Sequence, residues 1–151
     1  MTDLTQGTWV LVADGEKAMF LENVTDDDDP YFRVRRLEEQ DNPSNHDTQA
    51  DRPGRRSDGV SGHSSGMEEA DWHRIAKEKF ASELADALLR LVRRKAYDRL
   101  VIVAPARTLG ALRQALHKEV SDRVVAEIGK DFTNHPLNEV EQRVREELHK
   151  G

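Results

Sequence analysis

Leu100-Val101-Ile102-Val103 is an unbroken apolar run closed by Ala104-Pro105. A strand with no polar alternation is suited to cover on both faces, the situation of a parallel strand between helices. Parallel neighbours need a crossover connection, and such crossovers are right-handed. The run therefore commits its surroundings to alternating strands and helices. Downstream, Pro105 opens a helix with Leu109, Leu112 and Leu116 as its stripe. Val120 to Ile128 contains the next strand, Arg123 to Ile128, which Gly129 ends. A last helix starts at Thr133 to Pro136 and turns Leu137, Val140, Val144 and Leu148 inward.

Upstream the pattern is different. Thr8 to Ala13 and Lys17 to Val24 are rich in strand formers and flank Asp14-Gly15, a hairpin signal whose turn positions need positive φ. Asp26 to Pro30 is an acidic, solvated turn. Tyr31 to Glu39 puts Phe32 and Val34 on one face and Arg33 and Arg35 on the other, a third strand. Asp41 to Gly66 then holds one large aliphatic residue, Val60. It cannot bury enough to offset the entropy of ordering and is expected to be a mobile or disordered loop. Ser65-Gly66-Met67-Glu68 fits a capping box, and Trp72, Ala76, Phe80, Leu84, Leu88 and Leu91 form the stripe of a long helix closed by Arg93, Arg94 and Lys95. At 1.5 Å per residue it spans about 42 Å, so its first turns should project past the sheet.

The expected order is β-β-β-α-β-α-β-α: one α/β domain over residues 1–151, with helices packed on a five-stranded mixed sheet. This is the element order of the ribonuclease-H-like fold. An exposed sheet edge offers pairing with another copy, though no residue demands it.

Composition narrows function by exclusion. Charged residues make up 34% of the chain, hydrophobic residues 36%, and the net charge is −6, which argues against general duplex binding. The absence of cysteine excludes disulfides, zinc-thiolate sites and thiol catalysis. No apolar run approaches a membrane span, and the polar stretch Met1 to Gly7 is not a signal peptide, so a soluble, cytoplasmic protein is expected.

Several segments carry a resemblance. Trp9-Val-Leu-Val-Ala-Asp-Gly15 with Lys17-Ala-Met-Phe20, the helix from Phe80-Ala81 through Leu89, Leu100-Val-Ile-Val-Ala-Pro105 followed by Leu109-Gly110-Ala111-Leu112-Arg113, and Lys130-Asp131-Phe132-Thr133 with Pro136 together resemble the bacterial host attachment protein family. That family more usually has Leu where Phe132 stands. It is in turn similar to the middle domain of archaeal and eukaryotic peptide-chain release factors, a ribonuclease-H-like domain in which a Gly-Gly-Gln tip ahead of a long helix triggers peptidyl-tRNA hydrolysis. The segment of similar placement here reads Arg55-Arg56-Ser57-Asp58-Gly59-Val60-Ser61-Gly62-His63, with no Gly-Gly-Gln. The resemblance implies a non-enzymatic binding domain with an indirect, intracellular part in attachment to host cells. A translation-associated module touching ribosome or tRNA through the Gly/Arg loop is the alternative, and a metal-dependent nuclease is the third reading.

The residues supply candidates for each. Arg52, Arg55, Arg56 and His63, with Gly54, Gly59 and Gly62, form an arm able to order on RNA or on an acidic protein partner. Asp51 and Asp58 lower its charge, and it has no aromatic residue for base stacking. Asp14 stands where ribonuclease-H-like nucleases place a first-strand carboxylate, with Glu83 and Asp86 available on the long helix. The two-metal mechanism needs several converging acids, and Leu100 to Pro105 supplies none. Asp14 therefore reads as a turn residue. Asp131 and Thr133 read as caps of the last helix. Arg93, Arg94, Lys95 and Arg99 make a small basic patch at a helix end, and Arg113 and Lys118 face outward. The six histidines lack ligand spacing. No catalytic residue, metal or cofactor is expected.

Overall fold

The computed structural model describes residues 3–39 and 66–150. Five strands, β1 (Trp9–Ala13), β2 (Lys17–Asn23), β3 (Phe32–Glu39), β4 (Leu100–Val103) and β5 (Val124–Ile128), form one sheet in the order β3-β2-β1-β4-β5. The helices are α1 (Gly66–Arg93), α2 (Ala106–Ala115), α3 (Lys118–Ser121) and α4 (Leu137–His149). The meander β1-β2-β3 is antiparallel, whereas β1, β4 and β5 are parallel neighbours. This is the ribonuclease-H-like arrangement expected from the element order.

Each helix layer is dictated by strand alternation. Leu11, Ala13, Ala18, Phe20, Leu100 and Ile102 meet Phe80, Leu84 and Leu88 of α1 and Leu109 and Leu112 of α2. Val10, Val12, Leu21, Phe32, Val101, Val103 and Ile128 meet Val140, Val144 and Leu148 of α4. The Leu100–Val103 run is thus covered on both sides, as its composition required.

Four local expectations are corrected. The β1–β2 turn does not use positive φ at Asp14 or Gly15. Asp14 Oδ1 accepts the amide of Lys17, the bond a backbone carbonyl would otherwise make, so the two-residue loop shifts to Gly15-Glu16. A helical turn, α3, precedes β5. It is capped by His117 Nδ1, which accepts the Glu119 amide, and is too short to show periodicity. α4 begins at Leu137 with Pro136 as its N-cap, and no side chain caps it. The turn Asp26–Pro30 is not simply solvated, because Asp27 Oδ1 accepts the Leu4 amide at 2.8 Å and pairs with His149 Nε2 at 2.9 Å. Burial alone would raise the Asp27 carboxyl, but the Leu4 amide, His149 and Arg145 outweigh it and hold the carboxyl below the usual carboxylate range.

The end of α1 makes a stability prediction. The amides of Ala96 and Lys95 donate to the carbonyls of Leu91 and Val92, the two bonds of a Schellman closure. Its left-handed position, φ 63°, is occupied by Lys95, where glycine carries no Cβ penalty. Lys95→Gly should raise stability by about 0.5–1 kcal/mol after the lost helix-dipole interaction of the lysine is counted. Guanidinium unfolding checks it: an unchanged or lower midpoint would contradict the strain assigned to this position.

Candidate functional site

The carboxyl ends of the parallel strands β1, β4 and β5 lie at one edge of the sheet, and α2 and α4 start from that edge. In open α/β sheets this is where ligands bind. Here it carries a groove of about 1130 Å³ between α1, α2 and the Asp14–Glu16 turn. Its floor is apolar, made by Phe80, Ala81 and Leu84 of α1 and Ala111 of α2. Its rim carries three cations, Arg74, Lys77 and Arg107, and three acids, Asp14, Glu16 and Glu78.

Each wall has a local cause. The long helix passes directly over the β1–β2 turn: a Cβ added at Gly15 would lie 3.1 Å from the Lys77 side chain, so glycine gives the lysine stem its bed. Arg74 and Glu78, one helical turn apart, approach to 3.7 Å. At the other wall, Pro105 precedes α2, and its carbonyl accepts the Leu109 amide as the first intrahelical bond. No side chain caps this helix and no acid lies in its first turn, and Ala106, Arg107 and Thr108 of that turn line the groove.

Asp14 is a structural node beside the groove. Oδ1 accepts the amides of Glu16 at 2.7 Å and Lys17 at 2.8 Å, while Oδ2 accepts the Thr133 hydroxyl at 3.1 Å. Thr133 is held in turn by Asp131 Oδ1, which accepts its amide at 2.9 Å. Lys17 Nζ donates to Asn134 Oδ1 at 3.0 Å. Asp131 and Thr133 therefore tie the loop after β5 to the β1–β2 turn instead of capping α4. Among the described residues, the group of three metal-capable side chains within reach of one another is Asp3, Asp27 and His149, toward the other end of the sheet. Asp14 belongs to no such group, so the convergence of acids that a two-metal nuclease needs is not formed around it.

The remaining sequence candidates are placed as follows. Arg52, Arg55, Arg56 and His63 lie outside the described residues, as do the loop around them and the Ser65 cap. The basic patch is at the amino end of the sheet and is partly engaged: Arg93 Nη2 donates to Glu119 at 2.9 Å, and Arg99 to the Asp3 carbonyl at 2.9 Å. Arg113 faces outward but pairs with Glu127, and Lys118 pairs with Asp122. Sequence reasoning missed the groove cations Arg74, Lys77 and Arg107. The available signal was Pro105 opening a helix with Arg107, and no acid, in its first turn.

Residues 7–144 match bacterial archaeo-eukaryotic release factor family 12. The chain belongs to this family. The match spans every strand and all but the end of α4, so it covers the fold on which the groove is built. It supports the release-factor side of the resemblance, and it gives no support to a part in host attachment. Comparison with curated proteins yields no match. No helix among the described residues is long and apolar enough to cross a membrane.

Proposed function

We propose that this release-factor-family chain is a translation-associated module that contacts ribosomal or transfer RNA. The contact surface is the Gly/Arg segment within residues 41–66 together with the groove at the carboxyl end of the sheet. The observation that carries the reading is the family match across the whole fold. Topology supports the choice of surface. The segment leaves from the end of β3, where Glu39 stands opposite Lys17, and re-enters at α1, whose Lys77 lies over Gly15. The segment therefore departs from the edge that carries the groove and leads into the helix that forms one of its walls. Arg52, Arg55, Arg56 and His63 would add to Arg74, Lys77, Arg107 and the uncapped amides of α2, all donors suited to phosphate oxygens. Without Gly-Gly-Gln the proposal is binding, not peptidyl-tRNA hydrolysis.

The test is co-sedimentation with ribosomes at graded salt. The full chain should pellet, and the pelleted fraction should fall steeply as salt rises, because phosphate contacts release counterions. Deleting residues 45–66, or changing Arg52, Arg55 and Arg56 together to alanine, should weaken binding by about tenfold or more, each lost phosphate contact also lowering the salt slope. Pelleting that ignores both changes would rule out the segment as the contact surface. No pelleting by the full chain at low salt would remove the proposal as a whole.

A further inference from the structure

Among the described residues, the exposed large apolar side chains are Tyr31, Val34, Leu37 and Ile75. Two of them, Val34 and Leu37, lie in β3, which is the outermost strand of the sheet, and Leu37 is 68% exposed. The first amide of the strand, Phe32 N–H, is already bound by the Glu141 carboxylate of α4 at 2.7 Å.

β3 is irregular in one informative way. Phe20 pairs with Arg36 and Leu21 with Val34, so Arg35 is an extra residue, a bulge. In a regular strand, positions 34 and 37 lie on opposite faces, and so do 33 and 38. The bulge brings each pair onto one face. Val34 and Leu37 stand opposite Leu21 and Met19, on the α4 side, while Arg33 and Glu38 stand opposite Glu22 and Ala18, on the α1 side.

This makes the edge complementary to itself. We propose that β3 pairs antiparallel with β3 of a second copy of this chain. The two-fold axis is perpendicular to the sheet and passes between Arg35 and Arg36, giving one ten-stranded sheet. In that register Val34 faces the partner's Leu37 and Arg33 faces the partner's Glu38, each contact occurring twice. The arginines at the axis are turned back on their own sheet: Arg35 Nε donates to Glu22 at 2.6 Å, and the Arg36 guanidinium lies 5.8 Å from the centre of the Phe20 ring. The apolar contact supplies the burial, and the charge pairs set register and partner choice more than strength. A contact this small gives a concentration-dependent dimer. The inference is independent of the RNA-binding reading, since it concerns the strand edge and not the groove.

Sedimentation velocity on the full chain over a wide concentration range tests it, with circular dichroism confirming that each variant is folded. The wild type should show a monomer–dimer equilibrium that Leu37→Glu weakens at least tenfold. In a homodimer, Arg33→Glu sets a new carboxylate against the partner's Glu38, and Glu38→Arg sets a new guanidinium against the partner's Arg33, so each should also weaken self-association about tenfold. In the mixed dimer of these two variants a carboxylate meets a guanidinium at both ends, so an equimolar mixture should associate like the wild type, and so should the double variant Arg33→Glu with Glu38→Arg. A wild type that is monomeric throughout would overturn the proposal. So would a dimer indifferent to Leu37→Glu, or a double variant that stays monomeric.

Discussion

Asn23→Ala is expected to destabilise the protein by about 3–5 kcal/mol, a large share of the roughly 5–15 kcal/mol that holds a domain folded. Asn23 is fully buried at the end of β2. Its Nδ2 donates to the carbonyls of Leu4 at 2.7 Å and Asp26 at 3.1 Å. Its Oδ1 accepts the amide of Tyr31 at 3.0 Å and the Thr25 hydroxyl at 3.2 Å. One side chain thus fastens the segment before β1, the turn after β2 and the entry to β3. Alanine would strand these groups with little room for water, and the cost of an unmet buried group exceeds the gain from making the bond. Asn23→Asp keeps the size and the acceptors but turns a carboxylate toward two carbonyls, and should be as damaging. Guanidinium unfolding measures both. A loss below about 1 kcal/mol in either would show that these groups find other partners.

Phe80→Ala should cost about 3–5 kcal/mol, the usual range for removing a fully packed ring. Phe80 is 2% exposed and forms part of the groove floor. Phe80→Leu, which conserves most of the volume, should cost under about 1.5 kcal/mol. Thermal and denaturant unfolding of the pair separate packing from mere hydrophobicity. Equal, small losses in both would mean that α1 is held from Leu84 onward and that the groove floor carries no structural burden.

Much of the fold was legible because hydrophobic periodicity is set by burial. The covered strand at Leu100–Val103, the α1 stripe through Leu84 and Leu88, and the α4 positions Val140, Val144 and Leu148 all lie where alternation or 3.6-residue spacing puts them. What escaped depends on side-chain hydrogen bonds, which leave no periodic trace. Asp14 replaces a backbone carbonyl in its turn, His117 caps a single helical turn, and Asn23 looks like any strand-end asparagine. The Arg35 bulge is equally silent, since one added residue hardly disturbs a short strand pattern. Of the candidate site, the arginine-rich segment could be read directly. The groove could not, because Arg74, Lys77 and Arg107 are brought together only by helices that start at Gly66 and Ala106, far apart in the chain.

Lys77 and Phe80 stand three residues apart on α1, the first with its stem against Gly15 and the second in the floor of the groove. The β1–β2 turn and the groove floor thus rest on a single helical turn, about 5.4 Å long. A ligand that parts α1 from α2 would therefore be felt at Gly15, with no strand of the sheet having to shift.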